Sequence, residues 1–497
     1  MPRHSWRSAA RALGLATTLA LTLPALTGPA DATATPAAAA TAAAAGPPVS
    51  LWAPQRVTAS NYSGRVWGDL GLRLVAQGAP FELWSTRASY DDPIRTVWRT
   101  GAGDVALPEG SMTDFTGLHR FLSVELTPRT AGGAPVTLHK AACFNGWSER
   151  VRPDAPATSP YPRGCWYNPY TLGSVQGIQE GWAGPLISME GPLRIPVGTY
   201  DVTASIAPRY ADVFGLTAAE ASRSFELVVQ RDDAGAYRTG IRAPVDQTPA
   251  PAEPTGHPPR QVASGTATGP VPDLRSLPAW GIKMARNGNY LQFSATVWNG
   301  GDSPLVVDGF RRDGEDEMDA YQYFFDGDGN QTGYQQVGQL HWDPRPTHQH
   351  WHFEDFARYV LLDADQTEAV RSRKEAFCLA NTDAVDQTVP NAAWNPENTD
   401  LATSCGDHNS LSIREVLASG WGDTYAQFRA GQSFDLHGLP NGTYYIAVMA
   451  NPDHRLVESS TDNNVSLRKV LIRGTEGHRT VTVPQVGIIE EPDPTHR

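Results

Sequence analysis

Cysteine is scarce in this chain, with four residues in 497. They fall as Cys143 with Cys165 and Cys378 with Cys405, each pair enclosing a short loop, which suits one local disulfide per domain. Spacing alone leaves all three pairings of four cysteines open. Positive charge is also in short supply: the net charge is −13 and the pI near 5.5, which argues against a nucleic-acid partner or a dedicated anionic-membrane surface. After the N-terminus no window approaches the roughly twenty apolar residues of a spanning helix, so no membrane span is expected. No internal repeat is evident. Charged residues make up only 19%, while forty prolines and forty-six glycines interrupt the chain, a balance that favours short strands joined by turns over long helices.

What is present begins with a compartment signal. Arg3, Arg7 and Arg11 precede an almost uncharged apolar run from Ala12 to Leu26, and small residues follow around Ala30-Asp31-Ala32. This reads as a Sec-type secretory signal over residues 1–34, with no adjacent arginine pair for a twin-arginine route. Export would place the protein where disulfides persist. Residues 35–48 form an Ala/Pro-rich spacer. Residues 49–230 show short apolar stretches between Gly, Pro and Asp turns, closing on Gly198-Thr199-Tyr200-Asp201-Val202 and Ser224-Phe225-Glu226-Leu227-Val228. An Ig-like β-sandwich is the expectation. Within it, Cys165-Trp166-Tyr167-Asn168-Pro169-Tyr170 could line a binding surface, but a disulfide-tethered loop packed on a sheet is favoured. Residues 231–270 are a Pro/Gly/Ala-rich linker, 271–473 a second β domain, and 474–497 an acidic, disordered tail. The expected fold class is therefore all-β. Expected strands in the second domain include 291–298, the tract 348–362 and 443–449, whereas Ile413 to Leu417 reads as one helical turn or a loop.

The chemistry centres on Thr347-His348-Gln349-His350-Trp351-His352. In an extended strand, residues i, i+2 and i+4 leave one face, with the outer two Cα atoms about 13 Å apart at roughly 3.3 Å per residue. Imidazoles at the ends can lean toward one ion near the middle. Neutral imidazole suits copper, zinc, iron or nickel. The competing reading is an exposed His-rich strand, but such runs are usually longer and lack aromatic neighbours. Asp326-Gly327-Asp328-Gly329-Asn330 starts like a calcium loop and then fails, because Gln331 replaces the required Gly and Val337 the bidentate Glu. A hairpin turn is the better account.

Farther along come Lys374-Glu375-Ala376-Phe377-Cys378-Leu379 and Gly420-Trp421-Gly422-Asp423-Thr424-Tyr425. Their order after the histidines, followed by Leu439-Pro440-Asn441-Gly442-Thr443-Tyr444, Val457-Glu458-Ser459 and Asn463-Asn464-Val465, resembles the lysyl oxidase family. The resemblance spans roughly residues 271–473, about two fifths of the chain. It implies a β-sandwich-based catalytic domain with long loops. It also implies copper held by His348, His350 and His352, and a lysine tyrosylquinone formed from Lys374 and Tyr425. The implied activity is oxidation of a primary amine, such as peptidyl-lysine or a small amine, by O2 to an aldehyde, with release of hydrogen peroxide and ammonia. A general base is needed for the α-proton step, with Asp423 and Asp355 as candidates.

Trp351 stands where the animal enzymes have Tyr, and Arg358 where they have His. Asp273, Glu458, Asp462, Asn463 and Asn464 resemble a calcium site of some relatives, although Ser460 and Asp462 do not match the position of the family's Asp. A Glu-Ser followed by Asn-Asn also recurs as a closing turn in unrelated β-sandwich adhesion domains. Two rival functions follow: a mononuclear metal oxygenase or dismutase that ignores Lys374 and Tyr425, and a non-quinone metal-binding β-sandwich adhesion protein. For the first β domain, attachment to the cell wall or to an extracellular protein is the partner reading.

Overall fold

The computed structural model describes residues 47–231 and 265–491, apart from Trp67, Asp69, Ala131, 188–192, 346–348, Arg373, Glu375, Asn398 and Ala430. The signal, most of the spacer and most of the linker lie outside the described residues. Among the described residues 48% are strand and 3% helix, so the all-β expectation holds.

In the first β region, one six-stranded sheet runs in the order Arg65–Val66, Arg56–Tyr62, Ser222–Arg231, Gly198–Ile206, Leu118–Pro128, Val136–Ala142. The two closing strands expected from sequence are thus neighbours, paired antiparallel from Gly198↔Val229 to Ser205↔Ser222. Two four-stranded sheets complete the region, and Leu51, Leu74, Phe81, Val124, Val202 and Leu227 from all three sheets share one core. Alternation explains this: in Gly198–Ile206, Tyr200, Val202, Ala204 and Ile206 are buried while Asp201 and Thr203 are exposed.

The second β region has three sheets among the described residues. The five-stranded one orders Glu368–Arg371, Ala357–Leu362, Gly442–Ala450, Val465–Thr475, His478–Thr482. The histidine strand, His350–Glu354, lies in a six-stranded sheet between Ala376–Phe377 and Gln331–Asp343. The tyrosine strand, Trp421–Tyr425, lies in another, antiparallel to Tyr290–Asn299. Residues from all three, including Phe293, Leu340, Trp351, Tyr359, Phe377, Leu417 and Ile446, form one core.

Three expectations need correction. The tract 348–362 is not one strand. It breaks at Asp355, whose φ of 59° is left-handed, and its halves join different sheets. Asp tolerates that region better than bulkier residues do, so the turn is placed there. Ile413 to Leu417 is neither helix nor loop but part of the strand Ser412–Leu417, paired with Leu305–Arg311. The described part of the acidic tail is ordered: His478–Thr482 is a strand, Ile489 is buried, and Glu491 bonds Arg468, Tyr170 and Gly281. The Asp326 turn is a hairpin turn as expected, with Asp326 Oδ1 accepting from the N–H groups of Asp328 and Asn330.

The two β regions are in contact, and their described residues fall in one compact unit. The Cys165–Tyr170 loop is part of that contact. Trp166 meets Trp421 edge-on at 4.7 Å, and Asn168 Nδ2 donates to Thr296 Oγ1 at 3.1 Å. Nearby, Val175 N–H donates to Gln387 Oε1 and Gln387 N–H to the Gly173 carbonyl. Gly173 is required for this approach, because a Cβ there would collide with the Asp386 carboxylate and the Thr388 hydroxyl. Replacing Gly173 by Val should therefore destabilise the protein by about 1–3 kcal/mol, read as a lowered midpoint in chemical denaturation.

Candidate active site

The histidine strand is placed by its register, with His341 opposite His352 and Asp343 opposite His350. Trp351 and Phe353 enter the core, so His350 and His352 share the other face. Their Nε2 atoms lie 2.9 Å apart and their rings 4.6 Å apart. Two metal–imidazole bonds of about 2.0–2.1 Å meeting at a right angle would place their nitrogens about 2.9 Å apart. The pair therefore fits one shared borderline ion. His352 is almost fully buried, and burial, with Lys374 and His350 nearby, pushes its pKa down to about 3. Its imidazole is neutral, the form a metal takes. Asp343 Oδ2 sits 3.6 Å from His352 Nδ1, and hydrogen bonds from the Arg345 guanidinium hold its carboxyl well below the usual range. A carboxylate behind a ligating imidazole orients the ring. His348 lies outside the described residues.

Lys374 and Tyr425 meet in the same core. Lys374 Nζ lies 4.5 Å from the centroid of the Tyr425 ring and 5.2 Å from that of Phe377. Phe377 meets Tyr425 edge-on at 5.0 Å. Ser372 fixes the lysine from behind: its Oγ accepts the Lys374 N–H and donates to the Gly431 carbonyl, and its N–H donates to the Tyr359 carbonyl. Lys374 is 6% exposed, and burial lowers its pKa to about 8 against the opposing pull of Asp423. The Tyr425 oxygen accepts the Cys378 N–H at 3.1 Å and donates its hydrogen to the Cys378 carbonyl at 3.2 Å. Burial first, then Asp423 and Glu415, push that phenol well above its ordinary value.

Asp423 is 4% exposed, and its Oδ2 has no hydrogen-bond partner among the described residues. Burial raises its carboxyl well above the usual range. Glu415, fully buried, is raised likewise and accepts the Leu379 N–H through Oε2 at 2.9 Å. Sequence reasoning missed Glu415. The signal was its parity, since Ile413, Glu415 and Leu417 share the core face once the segment is seen as a strand. A Glu415 oxygen also lies within 4.8 Å of the sulfurs of Cys378 and Cys405, but those sulfurs are bonded to each other and offer no thiolate to a metal. The second disulfide joins Cys143 to Cys165.

Asp355 and Arg358 do not join this cluster. Arg358 points away from buried Tyr359 and pairs with Asp453, while Asp355 pairs with Arg455 at 3.2 Å. The calcium candidates gather only in part. Glu458 accepts from Leu274 N–H, Asn451 and Asn464; Asp273 accepts from Arg275 and Asn463; Asp462 is exposed. Amide hydrogens and the Arg275 guanidinium thus do what a divalent cation would do. The Oδ1 atoms of Asn463 and Asn464 are buried without hydrogen-bond partners among the described residues.

Two imidazoles, one of them held neutral by burial, thus lie in the same region as a buried amine, a phenol ring and two buried carboxyls. Residues 326–481, which carry all of these groups, match the family described as lysyl oxidase. No curated protein matches the chain. Among the described residues no helix is long and apolar enough to cross a membrane.

Lys374 has a measurable cost. The folded protein sheds its proton near pH 8, whereas an unfolded lysine does so near 10.5. Stability should therefore rise with pH across that interval, by an amount on the order of 3 kcal/mol. A Lys374→Met variant should be more stable than the parent at pH 7, by roughly 1–3 kcal/mol, and should lose that pH dependence. Denaturant unfolding at pH 7 and pH 10 checks both.

Proposed function

We propose that this protein is a secreted, copper-dependent amine oxidase that uses a lysine tyrosylquinone formed from Lys374 and Tyr425. One primary amine, one O2 and one water become an aldehyde, ammonia and hydrogen peroxide; peptidyl-lysine and small amines are both in the substrate class. The supporting observation is the approach of Lys374 Nζ to the Tyr425 ring, 4.5 Å from its centroid, in the core beside His352. These side chains are fifty-one positions apart, and surface lysines do not spend desolvation free energy on such a contact.

Copper on His350 and His352, with His348 as the third ligand, would supply the one-electron chemistry by which O2 oxidises the tyrosine. The quinone would serve as the electron sink for the substrate amine. The chain's own residues do the rest. A pKa near 8 leaves Lys374 with roughly a tenth of its amine neutral at pH 7, the nucleophilic form that can bond to an oxidised ring. The two bonds to Cys378 hold the Tyr425 ring in register with that amine. Asp423, buried and with Oδ2 lacking a hydrogen-bond partner among the described residues, holds its proton more tightly than an ordinary carboxyl and is the assigned proton-transfer group for the α-proton step. Calcium belongs to this reading as a second, structural metal. Asp273, Glu458, Asn463 and Asn464 would hold it, with the unpartnered amide oxygens turned to the ion in exchange for Arg275.

Replacing Tyr425 by Phe should abolish visible quinone absorbance and amine-dependent peroxide release, while copper measured by atomic absorption stays at the parent level. Peroxide release by that variant at the parent rate would rule out Tyr425 as the cofactor tyrosine.

A further inference from the structure

Glu415 is a fully buried carboxyl that the proposed chemistry does not use. It lies in the strand Ser412–Leu417, opposite Val307, with the core residues Ile413 and Leu417 on its own face. An apolar residue at that position would serve the fold better, because a carboxyl in such a place costs several kcal/mol unless it is well bonded. Its Oε2 accepts the N–H of Leu379 at 2.9 Å. The carbonyl on the other side of that same peptide bond belongs to Cys378, and it accepts the phenol hydrogen of Tyr425 at 3.2 Å. A single planar peptide therefore has the carboxyl on its N–H and the phenol on its C=O.

We propose that Glu415 is a positioning residue for Tyr425, acting through the peptide unit of Cys378 and Leu379. This deepens the proposed function, since it rests on Tyr425 being the cofactor tyrosine. An N–H that donates to a carboxyl polarises its peptide, and the carbonyl becomes a better acceptor; hydrogen bonds in a chain strengthen one another, by about 10–30% per bond. The peptide is also anchored from a third side. Cys378 is bonded to Cys405, whose carbonyl accepts the N–H of Trp351 at 3.0 Å, between the two ligand histidines. Glu415 thereby fixes the peptide that aligns the Tyr425 ring with the Lys374 amine on one side and the histidine strand on the other. A second role, as a ligand with the neighbouring sulfurs, is closed by the disulfide.

The test uses full-length protein, first without copper. Ultraviolet resonance Raman spectra, each subtracted from that of the same protein carrying Tyr425→Phe, isolate the phenol bands that report its hydrogen bonding. Glu415→Leu removes the acceptor without adding a polar group, and Glu415→Asp keeps a carboxyl but withdraws it by one methylene. Both should shift the phenol bands toward a weaker hydrogen bond, whereas Glu415→Gln, whose amide oxygen still reaches Leu379, should keep the parent signature. On adding copper and O2, quinone absorbance should grow about tenfold more slowly in the Leu and Asp variants, the size of one lost hydrogen bond, with copper stoichiometry unchanged. Parent phenol bands in both the Leu and Asp variants would overturn the assignment. Failure of the parent itself to grow quinone would instead count against the proposed function, because the phenol spectra need neither copper nor quinone.

Discussion

Desolvation of ionisable groups is the constraint on which the rest of the site depends. Lys374, Asp423, Glu415 and His352 are each less than a tenth exposed and sit in or beside one apolar core. Water would have given each group its ordinary pKa; the core moves every one toward its neutral form, lysine and histidine downward, the carboxyls and the phenol upward. In the proposed chemistry a neutral imidazole binds metal, a neutral amine attacks, and a carboxyl with a raised pKa holds a proton more readily than an exposed one. One physical cause thus prepares several different groups. A metal site that only braced a sandwich would have no use for Lys374 or Glu415, and the desolvation cost would bring the fold nothing.

Such groups stay in place only if the surrounding backbone is over-determined. Three sheets converge on the site: the histidine strand from one, the tyrosine strand from another, and Tyr359, stacked edge-on against Phe377, from the third. The disulfide Cys378–Cys405 ties the backbone that binds the phenol to the backbone that carries the histidines. Ser372 closes the remaining direction by bonding both the Lys374 N–H and the Gly431 carbonyl. The reacting side chains are thus held by main-chain groups rather than by one another.

The features legible in the sequence were those with local or periodic signatures. Turn-rich composition and two-residue alternation were enough for an all-β fold, and short loops between cysteines suggested two local disulfides without fixing their pairing. The order of histidines, lysine and tyrosine was enough for the family. What was not legible depends on distant partners. Nothing near Asp355 announces a left-handed residue splitting 348–362 between two sheets. Glu490 and Glu491 look like a solvated acidic end until Arg468, Tyr167 and Tyr170 are brought to them. Glu415 escaped because an acidic residue type disguised a core-facing strand, and the reason a carboxyl stands there lies in a peptide thirty-six residues away.

The same dependence on distant partners bears on the first β region. Thr424 stands between Asp423 and Tyr425 and so points to the opposite face of the tyrosine strand. There its Oγ1 is 2.6 Å from that of Thr296, which in turn accepts from Asn168 of the first region. Thr382 Oγ1 takes the Thr424 N–H, and Thr171 Oγ1 donates to the Ala384 carbonyl on the adjoining strand. The back of the tyrosine strand is therefore partly covered by polar contacts that residues 265–491 do not supply alone. If this face were bare, Thr296 and Thr424 would meet water one residue from a carboxyl that must stay dry to keep its raised pKa. Covering it with the first β region preserves the desolvation on which the site depends. On that argument the first β region supports the strand that carries Asp423 and Tyr425.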